Sequence, residues 1–86
     1  MPKCFQMSVV TAAGTLLETE AVYCGVWTEG GSLGILADHA PMLCAVPEGE
    51  ACLRLKDGSE KRIRHSAGVV RVRRNTVTLL ADRAET

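Results

Sequence analysis

Only three aromatic side chains, Phe5, Tyr23 and Trp27, occur in the 86-residue chain, which excludes both an aromatic-rich core and a row of base-stacking platforms. The four cysteines, Cys4, Cys24, Cys44 and Cys52, stand 20, 20 and 8 residues apart, with no Cys-x-x-Cys and no Cys–His pair at ligand spacing. That spacing argues against a zinc site, which draws its ligands from close pairs. No apolar secretory stretch follows Lys3, so the cysteines are expected to be reduced and to serve as small hydrophobes. The longest apolar run, residues 40–47, is far shorter than the ~20 residues that span a bilayer. The chain is therefore expected to be soluble, or held at a membrane only through another protein. No segment carries an i, i+3, i+4, i+7 apolar stripe long enough for a helix.

What remains is period-two alternation. Phe5, Met7 and Val9 share one face of a strand over residues 4–11, and residues 12–14 form its turn. Residues 15–27 hold Val22, Tyr23, Val26 and Trp27 without a helical stripe, and read as two short strands or one strand bent near residues 18–20. Residues 28–31 close a hairpin onto Leu33, Ile35 and Leu36. Residues 42–46 are extended again, and residues 47–49 turn the chain. Ala51, Leu53 and Leu55 then face one way, and Asp57-Gly58 marks a hairpin returning through Ile63. Val70 and Val72 alternate with Arg71 and Arg73, Arg74-Asn75 turns, and Val77 and Leu79 point inward. Residues 81–86 read as a polar tail. Short strands with turns every eight to twelve residues predict an all-β fold, a flattened sandwich or barrel of about ten short strands. The whole chain, residues 1–86, is read as a single β-sandwich domain. A chain this short buries only about 60–65% of its unfolded surface, so little stability is to spare.

Charge is unevenly placed. Residues 1–50 carry one base against six acids, a net of −5, and residues 51–86 carry nine bases against four acids, a net of +5. The two parts either serve partners of opposite sign or interleave and cancel. The least generic stretch is residues 34–41, where Gly34 is expected to supply positive φ and Pro41 stiffens a loop presenting Asp38 and His39. A His beside an Asp suggests a general base with its orienting carboxylate, but neighbours on an extended segment point to opposite sides. A structural or interface role for His39 is the better reading, and no catalytic, cofactor-binding or metal-binding residue is expected. The glycines Gly30, Gly31 and Gly34 precede no helix that would hold a phosphate, so hairpin geometry explains them better. An apolar group comprising Leu33, Ile35, Met42 and Leu43 lies near the loop and is either core or contact surface. A second functional class, a small nucleic-acid-binding barrel, would use Lys61, Arg62, Arg64, Arg71, Arg73 and Arg74 as a basic face. It lacks the aromatic platforms such binders add.

The chain also resembles a known family. Phe5-x-Met7-x-Val9-Val10-Thr11, Gly31-x-Leu33-Gly34-Ile35-Leu36-x-x-His39-Ala40-Pro41-x-Leu43, Gly49, Gly68 with Val70 and Val72, and Asn75-x-Val77-Thr78-x-Leu80-Ala81-Asp82 are similar to the amino-terminal domain of the epsilon subunit of F-type ATP synthase. The resemblance implies a ten-stranded sandwich in the rotor, beside gamma and on the loops of the c-ring. It would carry no catalytic residue and no cofactor, and would pass rotation between ring and gamma. It also implies a peripheral place on the cytoplasmic face of the inner membrane, with membrane contact only through the c-ring and no nucleic acid bound. Expected contacts to gamma and the c-ring are Glu29, Gly30, Gly31, Ser32, Asp38, His39, Ala40 and Met42. The helical hairpin that follows the sandwich in the family, and binds ATP or brakes hydrolysis in some members, is expected to be absent. Three positions depart from the family pattern: Trp27-Thr28 replace a common Pro-Gly, Ser32 replaces an acid with Glu29 three residues earlier, and Arg71 reverses a usual glutamate.

Overall fold

Inward-facing residues at every second position build nine strands: β1 (Phe5–Thr11), β2 (Gly14–Thr28), β3 (Gly31–Ile35), β4 (Met42–Val46), β5 (Gly49–Leu55), β6 (Glu60–His65), β7 (Gly68–Arg73), β8 (Thr76–Ala81) and β9 (Ala84–Glu85). This architecture is that of a computed structural model, which describes residues 3–86. The strands pair in the order β4-β7-β8-β1-β2-β5-β6-β9, and β3 pairs with β2 outside that path. Every pair is antiparallel except β1 with β8, which run parallel from Gln6↔Thr76 to Val10↔Leu80.

The first part of β2 pairs with β1, from Thr11↔Gly14 to Phe5↔Ala21, and its last part pairs with β3 and β5. Its register slips twice: Leu16 is extra against β1 and Val22 is extra against β5. Such bulges bend a strand and raise its twist. The ribbon thereby folds over and traps one cluster containing Phe5, Met7, Val9, Cys24, Val26, Ile35, Leu53, Ile63, Val70, Val72, Val77 and Leu79, all buried. Each of the larger apolar side chains contributes roughly 1.5–3 kcal/mol when taken from water. Burial also pushes the Cys24 thiol up to about 12, with the nearby Cys52 adding to the effect. All four cysteines are free, and only Cys24 is fully buried.

Both ends of β2 carry the same turn. The Thr11 hydroxyl donates to the Gly14 carbonyl (3.1 Å) and accepts from the Ala13 N–H (3.2 Å). The Thr28 hydroxyl donates to the Gly31 carbonyl (2.8 Å) and accepts from the Gly30 N–H (3.2 Å). Gly14 and Gly31 stand at φ +120° and +124°, which L side chains rarely adopt. At the β7–β8 turn, Arg74 and Asn75 both have positive φ, as a two-residue hairpin matched to sheet twist requires.

The all-β expectation holds, with nine strands among the described residues, and residues 15–27 take the second of their two readings, one bent strand. Other expectations are corrected. Residues 84–85 are not free tail: Ser66 N–H donates to the Arg83 carbonyl (2.9 Å), Arg83 N–H donates to Ser66 Oγ (3.1 Å), and Ala84 pairs with His65 on the open edge of β6. Gly34 is not at positive φ; Gly31 is. Of the two readings left open for Ile35, the core one holds: it ends β3 and is buried. His65, unremarked in the sequence, is buried with its ring Nδ1–H donating to the Ser66 carbonyl (2.8 Å).

Two glycines separate conformational from steric demand. A Cβ at Gly31 meets nothing within 4 Å, whereas one at Gly68 would lie 2.0 Å from the backbone oxygen of Leu80. Gly31→Ala should therefore cost ~1–2 kcal/mol through φ alone. Gly68→Ala should cost on the order of 3 kcal/mol or more, since two backbones must part. Urea midpoints at unchanged m-value check both. The raised Cys24 thiol stays protonated at neutral pH, so native protein should label with maleimide at Cys4, Cys44 and Cys52 well before Cys24, read by mass spectrometry.

Candidate partner interface

The loop between β3 and β4 is built by one asparagine. Leu36 to His39 form a turn closed by His39 N–H donating to the Leu36 carbonyl (3.3 Å), with Asp38 at φ +61°. An aspartate tolerates that conformation better than most residues. Asn75, itself at φ +59°, accepts from the Asp38 N–H through Oδ1 (2.8 Å) and donates through Nδ2 to the Cys4 carbonyl (2.8 Å). Its own carbonyl accepts from Gln6 N–H (3.0 Å). One side chain thus ties the loop, the start of β1 and the β7–β8 turn together.

His39 and Asp38 do not form a dyad. The His39 ring donates from Nδ1 to the Ala40 carbonyl (2.8 Å), while the Asp38 carboxylate meets Lys3 Nζ at 3.3 Å. The latter pair is exposed on both sides, so it orients more than it stabilises. Leu36 projects beside this loop at 60% exposure. Nothing in the sequence pattern marks Asn75 as the loop's anchor, since its partners lie 37 and 71 residues away.

The eight expected contact residues divide into two groups. Glu29, Gly30 and Ser32 are exposed and Gly31 half-buried at the β2–β3 turn; Asp38 and Ala40 are exposed and His39 half-buried in the loop beyond β3. The first group runs into the start of β3 and the second follows its end, with Leu33, Gly34 and Ile35 of the strand between them. Met42 is half-buried against the core, while its neighbour Leu43 is 72% exposed. The strand's alternation explains the difference, because Met42, Cys44 and Val46 face inward.

The flank of this surface is formed by β2 and β3. Tyr23 lays its ring over the cross-strand pair Gly25↔Gly34, where a Cβ at Gly25 would come within 2.7 Å of the phenol oxygen. Trp27, opposite Ser32, is 61% exposed. Gly25 and Gly34 are thus kept small by the ring that covers them.

The basic residues do not make one face. Lys61, Arg62 and Arg64 lie on β6, while Arg71 and Arg73 lie on β7 with Arg74 in its turn, and β6 and β7 are far apart in the sheet path. Charge interleaves on one side of the molecule: Lys56 pairs with Glu20 at 3.4 Å and Arg62 with Glu50 at 3.2 Å. Among the described residues no three His, Cys, Asp or Glu side chains converge as a metal site would need, and no helix is long and apolar enough to cross a membrane.

A single sheet bent over one core, with the same stiff turn at both ends of its longest strand, defines a small β-sandwich. The family described as ATP synthase, Delta/Epsilon chain, beta-sandwich domain matches residues 4–86, and the chain belongs to it. The ATP synthase epsilon chain of Bacillus pumilus is 40% identical over 85 residues, covering 98% of this chain and 63% of that relative. That of Delftia acidovorans is 32% identical over 78 residues, covering 91% and 56%. The chain therefore spans less than two thirds of the length of these relatives. By shape it is similar to a chain of the Euglena gracilis mitochondrial ATP synthase OSCP/F1/c-ring structure (TM-score 0.91, 17% identity, 99% of this chain and 54% of that one). It is also similar to one of the Tetrahymena thermophila central stalk/c-ring (TM-score 0.81, 20% identity, 98% and 67%). At those identities the likeness shows the fold.

Asn75 offers a clean test of the loop. Asn75→Gly keeps the positive φ but leaves Asp38 N–H without its acceptor, and should cost ~1–2 kcal/mol. Asn75→Ala adds backbone strain and should cost about 1 kcal/mol more. Urea unfolding gives the energies, and faster hydrogen exchange at the Asp38 amide identifies the cause.

Proposed function

We propose that this sandwich is the non-catalytic rotor module of an F-type ATP synthase, bound to gamma and to the c-ring and passing ring rotation to gamma. The observation that carries the reading is the family match over residues 4–86. The geometry supports it in two ways. A rotor element must not yield, and the loop of residues 36–41 is tied by Asn75 to two other parts of the molecule. It must also grip two neighbours, and the two groups of expected contact residues sit at opposite ends of β3. The β2–β3 turn, with Glu29 to Ser32, faces one neighbour; the loop with Asp38, His39 and Ala40 faces the other.

On this reading the domain, residues 1–86, works on the cytoplasmic face of the membrane, peripherally, and reaches the bilayer only through the c-ring. It needs no cofactor and performs no reaction of its own. The ATP-binding and braking roles of the family's helical hairpin are not assigned to this sandwich. The Ser32 and Arg71 departures imply that its polar contacts differ from those usual in the family.

The test is reconstitution with gamma and c-ring. His39→Ala frees the loop from its Ala40 bond and should weaken association roughly tenfold, about 1.4 kcal/mol. The rate of ATP hydrolysis by the isolated catalytic head should not change. Unchanged affinity for both partners counts against the reading.

A further inference from the structure

The sheet path ends at β4, which pairs with β7 on one side and, among the described residues, with no strand on the other. The β7–β8 hairpin closes through the two-residue turn Arg74-Asn75, so its bonded pairs begin at Arg73↔Thr76 and recur at every second position. That alternation directs Val72, Val70 and Gly68 to β4, where they meet Met42, Cys44 and Val46. The N–H and C=O groups of Leu43 and Ala45 are left pointing off the edge. The same two residues turn exposed side chains to the outer face.

Edges of this kind template unwanted pairing, and natural sheets blunt them with charge or proline inside the strand. Met42–Val46 contains neither; Pro41 and Pro47 only bracket it. Beside it stand Arg71, opposite Leu43, then Arg73 and Arg74, all exposed and in none of the ion pairs among the described residues. An unguarded edge, an apolar side chain at 72% exposure and three unbalanced cations thus lie together.

We infer that β4 is a strand-addition site for an extended segment of a partner protein that alternates apolar and acidic residues. The segment's backbone bonds to Leu43 and Ala45, its apolar side chains continue the row of Met42 and Cys44, and its carboxylates lie over Leu43 toward Arg71 and Arg73. The bracketing prolines limit the match to about five residues, near 17 Å of strand.

The probe is a synthetic seven-residue peptide of alternating glutamate and valine, titrated into the 86-residue chain with amide NMR shifts as readout. Saturable shifts largest at Leu43 and Ala45 are expected. Ala45→Pro removes an outward donor without removing a β4–β7 bond, and should weaken binding tenfold or more at unchanged thermal midpoint. If that variant does not fold, Arg71→Glu serves: it should weaken the glutamate peptide and strengthen one of alternating lysine and valine. Absence of shifts along β4 at millimolar peptide overturns the inference. So does equal binding of both peptides to the unaltered chain, or a single-stranded oligonucleotide that shifts Arg71, Arg73 and Arg74 while the β4 amides stay still.

Discussion

The bend in β2 is the constraint on which the fold depends. The path from β1 to β5 runs only through this strand, so the two halves of the sheet share a core because one 15-residue strand belongs to both. Each bulge adds a residue to one strand without a partner, and the resulting kinks let Phe5 and Met7 on one side meet Leu53 and Ile63 on the other. Were β2 straight, the inner face of each half would stand in water. A chain of this length has no second core to fall back on.

The elements were legible in the sequence to the degree that alternation alone decides them. Phe5, Met7, Val9, Leu53, Ile63, Val70, Val72, Val77 and Leu79 point inward as their period requires, and the Asp57-Gly58 and Arg74-Asn75 turns fall where their chemistry puts them. What alternation does not encode is pairing. The parallel contact of β1 with β8 joins residues some 70 positions apart, and no local signal announces it. The edge strand β9 was hidden for the same reason, because Ala84 and Glu85 become a strand only where β6 presents a free edge and Ser66 holds Arg83.

The loop was legible in outline and not in mechanism. Pro41 and the neighbouring glycine cluster mark residues 34–41 as shaped, yet the glycine that needs its freedom is Gly31, and Gly34 is small because Tyr23 lies on it. The anchor, Asn75, is distant in sequence and looks like an ordinary turn residue. Likewise the charge imbalance between the two parts of the chain is partly dissolved by Glu20–Lys56 and Glu50–Arg62, while Arg71, Arg73 and Arg74 are among the cations that no ion pair of the described residues neutralises.

The twin threonine–glycine turns at the ends of β2 have a mechanical consequence. Sliding this strand past β1 by one position would strip the Thr11 hydroxyl from Gly14, and sliding it past β3 would strip Thr28 from Gly31. Shear along the molecule's longest strand is therefore resisted at both extremities at once. A twisting load is returned as elastic deformation and not as a slipped register.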